Sequence, residues 1–244
     1  MRIGIISDVH GNLEALNSTL LFLNSRIDFL AVLGDTVGYG PDPEECIGTV
    51  KIKANLILKG NHEEGIITGN YTAFKDIARV SLEWTAKVIT SDSLKSIREF
   101  KETAEVEDIL FVHAAISSPL FKYIISDKDA MNEFALLDKK ICFIGHTHIP
   151  AAYRKEGEDR IDVIHPDFSG KMEIEIEQGY KYIINTGSTG QPRDGFPFAC
   201  ASIYDTEKHL FTLHRVEYPV EITRKKILEK GLPSVLARRV VQGI

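Results

Sequence analysis

Three times within its first 63 residues the chain crosses a short apolar run and stops at side chains able to bind a cation. Arg2-Ile-Gly-Ile-Ile6 leads to Asp8 and His10, Ile27–Leu33 leads to Gly34-Asp35, and Asn55–Lys59 leads to Gly60-Asn61-His62-Glu63. Apolar runs without helical spacing read as buried strands. Between them, Asn12 predicts an N-cap followed by a helix with Leu13, Leu16, Leu20 and Leu23 on its apolar stripe. Asp42-Pro43-Glu44-Glu45 predicts a second helix, with proline in its first turn, running to about Lys53. Strands alternating with helices build a parallel sheet, and ligand sites of such sheets lie at the carboxyl ends of the strands.

Two later runs repeat the theme. Ile109–Val112 ends in His113, and Ile141–Ile144 ends in Gly145-His146-Thr147-His148. From Tyr71 to about Glu105 the spacing of Ile77, Val80, Leu82, Trp84, Val88 and Ile89 predicts helix, broken at Thr90-Ser-Asp-Ser, with no chemistry of its own. The segment Ala114–Ile125 carries Phe121 and Tyr123 over the strand ends, where an aromatic either fills a local core or stacks on a ring of the substrate. A helix is expected over Ala130–Leu137. Short alternating segments from 151 to 215 predict a second, antiparallel sheet. Within it, Asn185 to Gly195 is a Gly/Ser loop that is either a plain turn or a source of backbone N–H groups for an anion. Two amphipathic helices, Glu221–Lys230 and Ser234–Gln242, close the chain around Gly231-Leu-Pro233.

Charge and cysteine content narrow the function. A net charge of −6 argues against general binding to nucleic acid through a basic face. Cys46, Cys142 and Cys200 form no C-x-x-C pair, so neither a disulfide framework nor a thiolate zinc site is expected. No apolar run has the length of a membrane span or a secretory signal, and a cytoplasmic protein is expected, with residues 1–244 as a single domain.

Five of the eight histidines, His10, His62, His113, His146 and His148, follow apolar strands, together with Asp8, Asp35 and Asn61. Gathered in one crevice, carboxylates and imidazoles call for cations, and oxygen and nitrogen donors without thiolate suit manganese, iron, zinc, nickel or cobalt. Eight such side chains exceed the needs of one ion. Two ions sharing a carboxylate, ~3.5–4 Å apart, fit the count and suit in-line displacement at phosphorus.

Asp8-x-His10, Gly34-Asp35, Gly60-Asn61-His62-Glu63, His113 and Gly145-His146-x-His148, in this order, resemble the calcineurin-like metallophosphoesterase superfamily. The loops at 38–43 and 187–195 and the closing Gly-Leu-Pro helix resemble its small prokaryotic phosphodiesterase branch. The resemblance implies a four-layer α/β/β/α sandwich of two packed mixed sheets flanked by helices. It implies that Asp8, His10 and His148 hold one metal, that Asn61, His113 and His146 hold another, and that Asp35 bridges them, with manganese the expected ion. His62 then contacts the phosphoryl oxygen or protonates the leaving group, Glu63 orients His62, and Arg193 contacts a substrate phosphate. Two residues depart from the family pattern, Glu63 where Asp is usual and Ala114 where many relatives have Gly. The implied activity is phosphoester hydrolysis by hydroxide generated between the ions. The expected substrate is a small nucleotide-like compound such as a dinucleoside polyphosphate or cyclic nucleotide, with Tyr39, Phe121 and Tyr123 as stacking surfaces. A non-catalytic scaffold on the same fold and a DNA nuclease are the competing readings. The complete ligand set with His62 weighs against the first, and the acidic pI against the second. Small relatives commonly self-associate, so a homo-oligomer is expected.

Overall fold

The computed structural model describes residues 1–157 and 160–244. Two six-stranded mixed sheets lie face to face. The first is built outward from β1 (Arg2–Ile6), which pairs in parallel with β2 (Phe29–Val32), itself parallel to β3 (Leu56–Ile57). The second is built around β5 (Ile109–Val112) and β6 (Ile141–Ile144), also parallel, with β4 (Thr103–Val106) antiparallel at the edge beside β5.

The alternation within β1 explains the layering. Ile3 and Ile5 point into the space between the sheets, where they join Phe111, Phe143, Tyr182 and Phe211. Phe143 sits at the centre of this layer, its ring 5.8 Å from Phe111 and 5.6 Å from Phe211. Ile6 and Val32 face outward, against α1 (Leu13–Leu23) and α2 (Pro43–Lys53). Leu110, Val112 and Ile183 face outward on the other sheet, against α6 (Asp127–Phe134). Burying each such side chain contributes roughly 1.5–3 kcal/mol, so both sheets are fixed by apolar matter on two faces. Among the described residues no helix is long and apolar enough to cross a membrane.

The remaining strands correct the sequence-based expectation of a separate antiparallel sheet. β9 (Met172–Glu175), β11 (Ala199–Asp205) and β12 (Leu210–Val216) extend the first sheet. β7 (Ala151–Glu156), β8 (Arg160–Ile164) and β10 (Tyr180–Asn185) extend the second. The strands that carry the polar ends are likewise divided between two sheets. Alternation fixes which face of a strand is apolar but not which partner it pairs with. The helical reading of 71–105 holds for α4 (Asp76–Val88) and α5 (Ser91–Arg98) and fails at β4, whose Thr and Val side chains suit a half-covered edge strand.

Asn12 is the N-cap expected of it, its side chain accepting the Ala15 N–H at 3.1 Å. Asn61 and His62 open α3 (Asn61–Thr68). The closing hairpin of α7 (Val220–Glu229) and α8 (Ser234–Gln242) packs Ile227, Leu236 and Val240 against Tyr39 and Trp84. The three cysteines are free and buried.

Candidate metal centre

The turns after β1 and β2 are bound to each other through the backbone, while in the turn after β6 Gly145 N–H donates to the His113 carbonyl at 2.9 Å and His146 N–H to Asp8 Oδ2 at 3.0 Å. Asp8 N–H donates to the Gly34 carbonyl at 3.1 Å, and His10 N–H to the Asp35 carbonyl at 2.8 Å. Among the described residues, nine other than glycine have positive φ, and six of them meet here: Asp8, His10, Asp35, Tyr39, His146 and His148. A left-handed backbone costs roughly 1–2 kcal/mol for an L-residue, and strain gathered at one place marks a functional site. Glycines let the turns close. A Cβ on Gly60 would lie 2.1 Å from Asp35 Oδ1, and one on Gly145 would lie 2.5 Å from Asp8 Oδ2.

The loop after β10 completes the frame. Its N–H groups at Thr189, Gly190 and Arg193 donate to the carbonyls of Ser7, Asp8 and His148, and that of Gln191 donates to Ser188 Oγ. These donors are used internally. The loop is a clamp on two turns and not an anion cradle.

Three imidazoles are oriented by the same device. Nδ1 of His10, His113 and His148 donates to the carbonyls of Val37, Leu33 and Gln191, at 3.0, 2.8 and 2.6 Å. A neutral ring whose Nδ1 carries the proton presents a bare lone pair at Nε2. Nε2 of His10 and Nε2 of His148 nonetheless face each other at 3.0 Å. Burial holds both rings well below the usual histidine range, helped by the Arg193 charge. A shared proton therefore does not relieve the contact. Asp8 Oδ1 lies 3.5 Å from His148 Nε2 and 3.8 Å from His10 Nε2, is fully buried, and has no hydrogen-bond partner among the described residues. Two opposed lone pairs beside an orphaned carboxylate oxygen are unfavourable without a cation and fit one well.

The second half of the cluster turns on Asp35. Its Oδ1 accepts the His62 N–H at 2.9 Å, while Oδ2 lies 3.7 Å from His10 Nε2 and 3.5 Å from His113 Nε2. One oxygen thus faces both halves. His113 Nε2 stands 3.2 Å from Asn61 Oδ1. His146 donates Nε2–H to the Phe121 carbonyl at 3.2 Å, which leaves Nδ1 as its lone pair, and burial takes its pKa down to about 3. His113 goes the other way. Burial opposes its charge, but Asp35, Asp8 and Glu63 outweigh this and lift it to about 9. The carboxylates demand positive charge at this point. The side chains form three overlapping groups, Asp8 with His10 and His148, His10 with Asp35 and His62, and Asp35 with His113 and His146, each able to hold a metal ion.

His62 is buried beside Asp35, its Nε2 3.9 Å from Oδ2 and its Nδ1 without a partner among the described residues. Glu63 does not orient it, contrary to the role that the resemblance implied. Its Oε2 accepts the Asp35 and Gly60 N–H groups, each at 2.8 Å, and its Oε1 accepts the Val37 N–H at 3.1 Å. Glu63 therefore positions the turn that carries Asp35. One side chain reaching from the first turn of α3 satisfies three buried donors.

Above the cluster lies a cleft of about 230 Å³ that Asp35, Asn61, His62, His146 and His148 floor. Tyr123 is 51% exposed and stacks on His146 at 4.1 Å, so one of its faces is already used. Phe121 is 42% exposed on the same rim, near Phe74. Tyr39 meets His10 edge-on and His62 at a tilt, each at 4.6 Å, and lies under the Arg193 guanidinium at 5.5 Å. Sequence reasoning missed Phe74, Lys75 and Arg239, which also line the cleft. No motif marks them, and only the amphipathic pattern of α8 hinted that one of its faces meets the rest of the chain.

The model of the calcineurin-like phosphoesterase family matches residues 1–169. An uncharacterized protein of Methanocaldococcus jannaschii is 34% identical over 250 residues, spanning 99% of this chain and 98% of its own. The crystal structure of a metallophosphoesterase from Sphaerobacter thermophilus is 36% identical, with a TM-score of 0.89 over 100% of this chain and 99% of that one. A hypothetical protein of Pyrococcus horikoshii shares the fold at 16% identity, with a TM-score of 0.78 over 100% and 98% of the two chains. Sequence and architecture agree from end to end with a cluster suited to cations, and the chain belongs to the calcineurin-like phosphoesterase family of metal-dependent phosphoesterases.

Proposed function

We propose that Asp8, His10 and His148 hold one divalent cation, that Asn61, His113 and His146 hold a second, and that Asp35 is shared between them. On this reading the chain is a single-domain cytoplasmic hydrolase of phosphoesters in small nucleotide-like compounds, working with manganese. The observation that carries it is the pair of bare Nε2 atoms on His10 and His148, 3.0 Å apart beside the unpartnered Asp8 Oδ1. Divalent ions bound in such a nest acidify water and withdraw charge from phosphoryl oxygens.

The chain's own groups do the rest. Asp35, pinned through its Oδ1 and its backbone N–H, holds its other oxygen rigidly toward both halves of the cluster. His62, on the cleft floor beside Asp35, meets the phosphoryl group and hydrogen-bonds the oxygens on which charge grows. Water oxygen bonds to phosphorus as the bond to the leaving oxygen breaks, and that oxygen takes up a proton. Arg193 reaches a substrate phosphate from the rim, with Tyr39, Phe121 and Tyr123 offering ring surfaces. The protein is expected to hydrolyse bis(4-nitrophenyl) phosphate with manganese, to lose that activity in chelator and to regain it when manganese returns. Full activity in chelator overturns the reading.

A further inference from the structure

Two arginines from distant parts of the chain face the same cleft. Arg193 lies in the clamp loop, and Arg239 lies on α8. Other half-buried cations of this protein are matched with carboxylates, Arg154 with Asp162 and Glu177, and Lys226 with Glu14 and Asp42. Among the described residues neither Arg193 nor Arg239 has such a partner. Arg193 donates Nε–H and Nη2–H to the neutral Gln191 Oε1, at 3.3 and 2.8 Å. Arg239 is half-buried, and burial together with the Arg193 charge lowers its pKa. Like charges at the mouth of an acidic protein's cleft, left without counter-charge, are complementary to an anionic ligand.

Their placement is ordered. Arg193 is anchored at the metal cluster, its N–H donating to the His148 carbonyl at 3.2 Å and its guanidinium lying 5.5 Å from the Tyr39 ring. Arg239 enters the same cleft from α8, whose Val240 packs with Tyr39. It is also held firmly. Lys226 of α7 bonds Asp42 at 2.8 Å, Thr223 bonds Asn12 at 2.9 Å, and Leu236 and Val240 of α8 are buried against the cluster containing Tyr39.

We propose that Arg193 and Arg239 form an anion subsite beside the metal centre that takes the second phosphoryl group of a phosphoanhydride, so that diphosphate and polyphosphate compounds are bound in preference to those with one phosphate. This rests on the phosphoesterase reading of the cluster and adds the class of substrate. Guanidinium groups pair bidentately with phosphate, and a second phosphoryl beyond the scissile one reaches outward from the cluster toward Arg239.

The test is calorimetric titration with orthophosphate and with imidodiphosphate, a non-hydrolysable diphosphate, in excess manganese and separately in chelator. The wild type is expected to bind imidodiphosphate at least tenfold more tightly than orthophosphate. Arg239→Gln should reduce that preference to threefold or less, Arg239→Lys should retain part of it, and Arg238→Gln, on the exposed neighbour, should keep it whole. Thermal melts of each variant separate loss of the subsite from loss of the fold. A wild type without preference, or an Arg239→Gln protein that retains it, overturns the proposal. Hydrolysis of bis(4-nitrophenyl) phosphate, measured in parallel, reports on the metal reading alone. Hydrolysis with no dependence of the preference on Arg239 leaves that reading standing and removes the subsite, and the converse result does the reverse.

Discussion

Individual side chains decide what the cluster can do, and two substitutions separate chemistry from architecture. His62→Asn removes an imidazole from the cleft floor while leaving the seven candidate ligands in place. The expected outcome is a fall in kcat of roughly 10²–10³-fold, as for loss of one transition-state donor, with metal content by elemental analysis unchanged. Unaltered turnover would deny His62 its role. Glu63→Gln places an amide NH2 where a carboxylate oxygen accepts from backbone N–H groups. Leaving a buried donor without its partner costs ~1–3 kcal/mol, so the melting temperature should fall and manganese should bind more weakly. Much at this scale was legible in the sequence, because Asp8, His10, Asp35, Asn61, His113, His146 and His148 each sit where an apolar run must end. What was not legible was direction. Nothing in Gly-Asn-His-Glu tells whether the glutamate turns toward its neighbour or back onto the turn before it, since both lie within reach of a long side chain at a helix start. Arg239 was hidden for a different reason, being 46 positions past Arg193 on a helix whose orientation only packing determines.

At the scale of elements, the segment over the cleft has its own anchor. Glu133 of α6 is fully buried and accepts from the Ser117 N–H, the Ser117 hydroxyl and Lys122 Nζ, tying down the stretch that carries Phe121 and Tyr123. Burial alone would raise its pKa, but these bonds outweigh burial and hold it below its ordinary 4.5. A carboxylate with a depressed folded-state pKa stabilises the protein above its unfolded pKa and ceases to do so as pH falls through the folded value. Glu133→Gln should therefore cost ~1–3 kcal/mol at pH 7, with the gap to wild type closing below about pH 4.5 in melts run from pH 7 to pH 3. A gap independent of pH would refute this account. Caps and apolar runs made most elements legible, as Asn12 and the bounds of α2 illustrate. β4 was missed because four residues at a half-exposed edge leave little alternation to read, and its identity comes from pairing with β5.

For the whole molecule the decisive fact is that the candidate ligands come from both sheets. Asp8, His10, Asp35 and Asn61 follow strands of the first, and His113, His146 and His148 follow strands of the second. Strand periodicity alone put these ends on one sheet, since strand ends look alike whichever sheet they terminate and partner choice depends on contacts remote in sequence; the two packed mixed sheets that the family resemblance implied are the ones the chain forms. Cations bound here stitch two layers together at one end of their seam. A ligand that binds only the folded state stabilises by ~2.7 kcal/mol at one hundred times its Kd, so manganese should raise the melting temperature and chelator should lower it. Asp35→Asn, which weakens both halves, should flatten that response. A melting temperature indifferent to manganese in the wild type would count against binding across the seam.

The left-handed turns have one more implication. Six residues adopt a conformation that most side chains avoid, and they do so with carbonyls and N–H groups of neighbouring turns already locking them in place. The discomfort is borne by main-chain bonds from one turn to the next, so the frame around the cluster belongs to the fold itself. Hydrogen exchange at the Asp8 and His10 amides should accordingly be among the slowest in the protein.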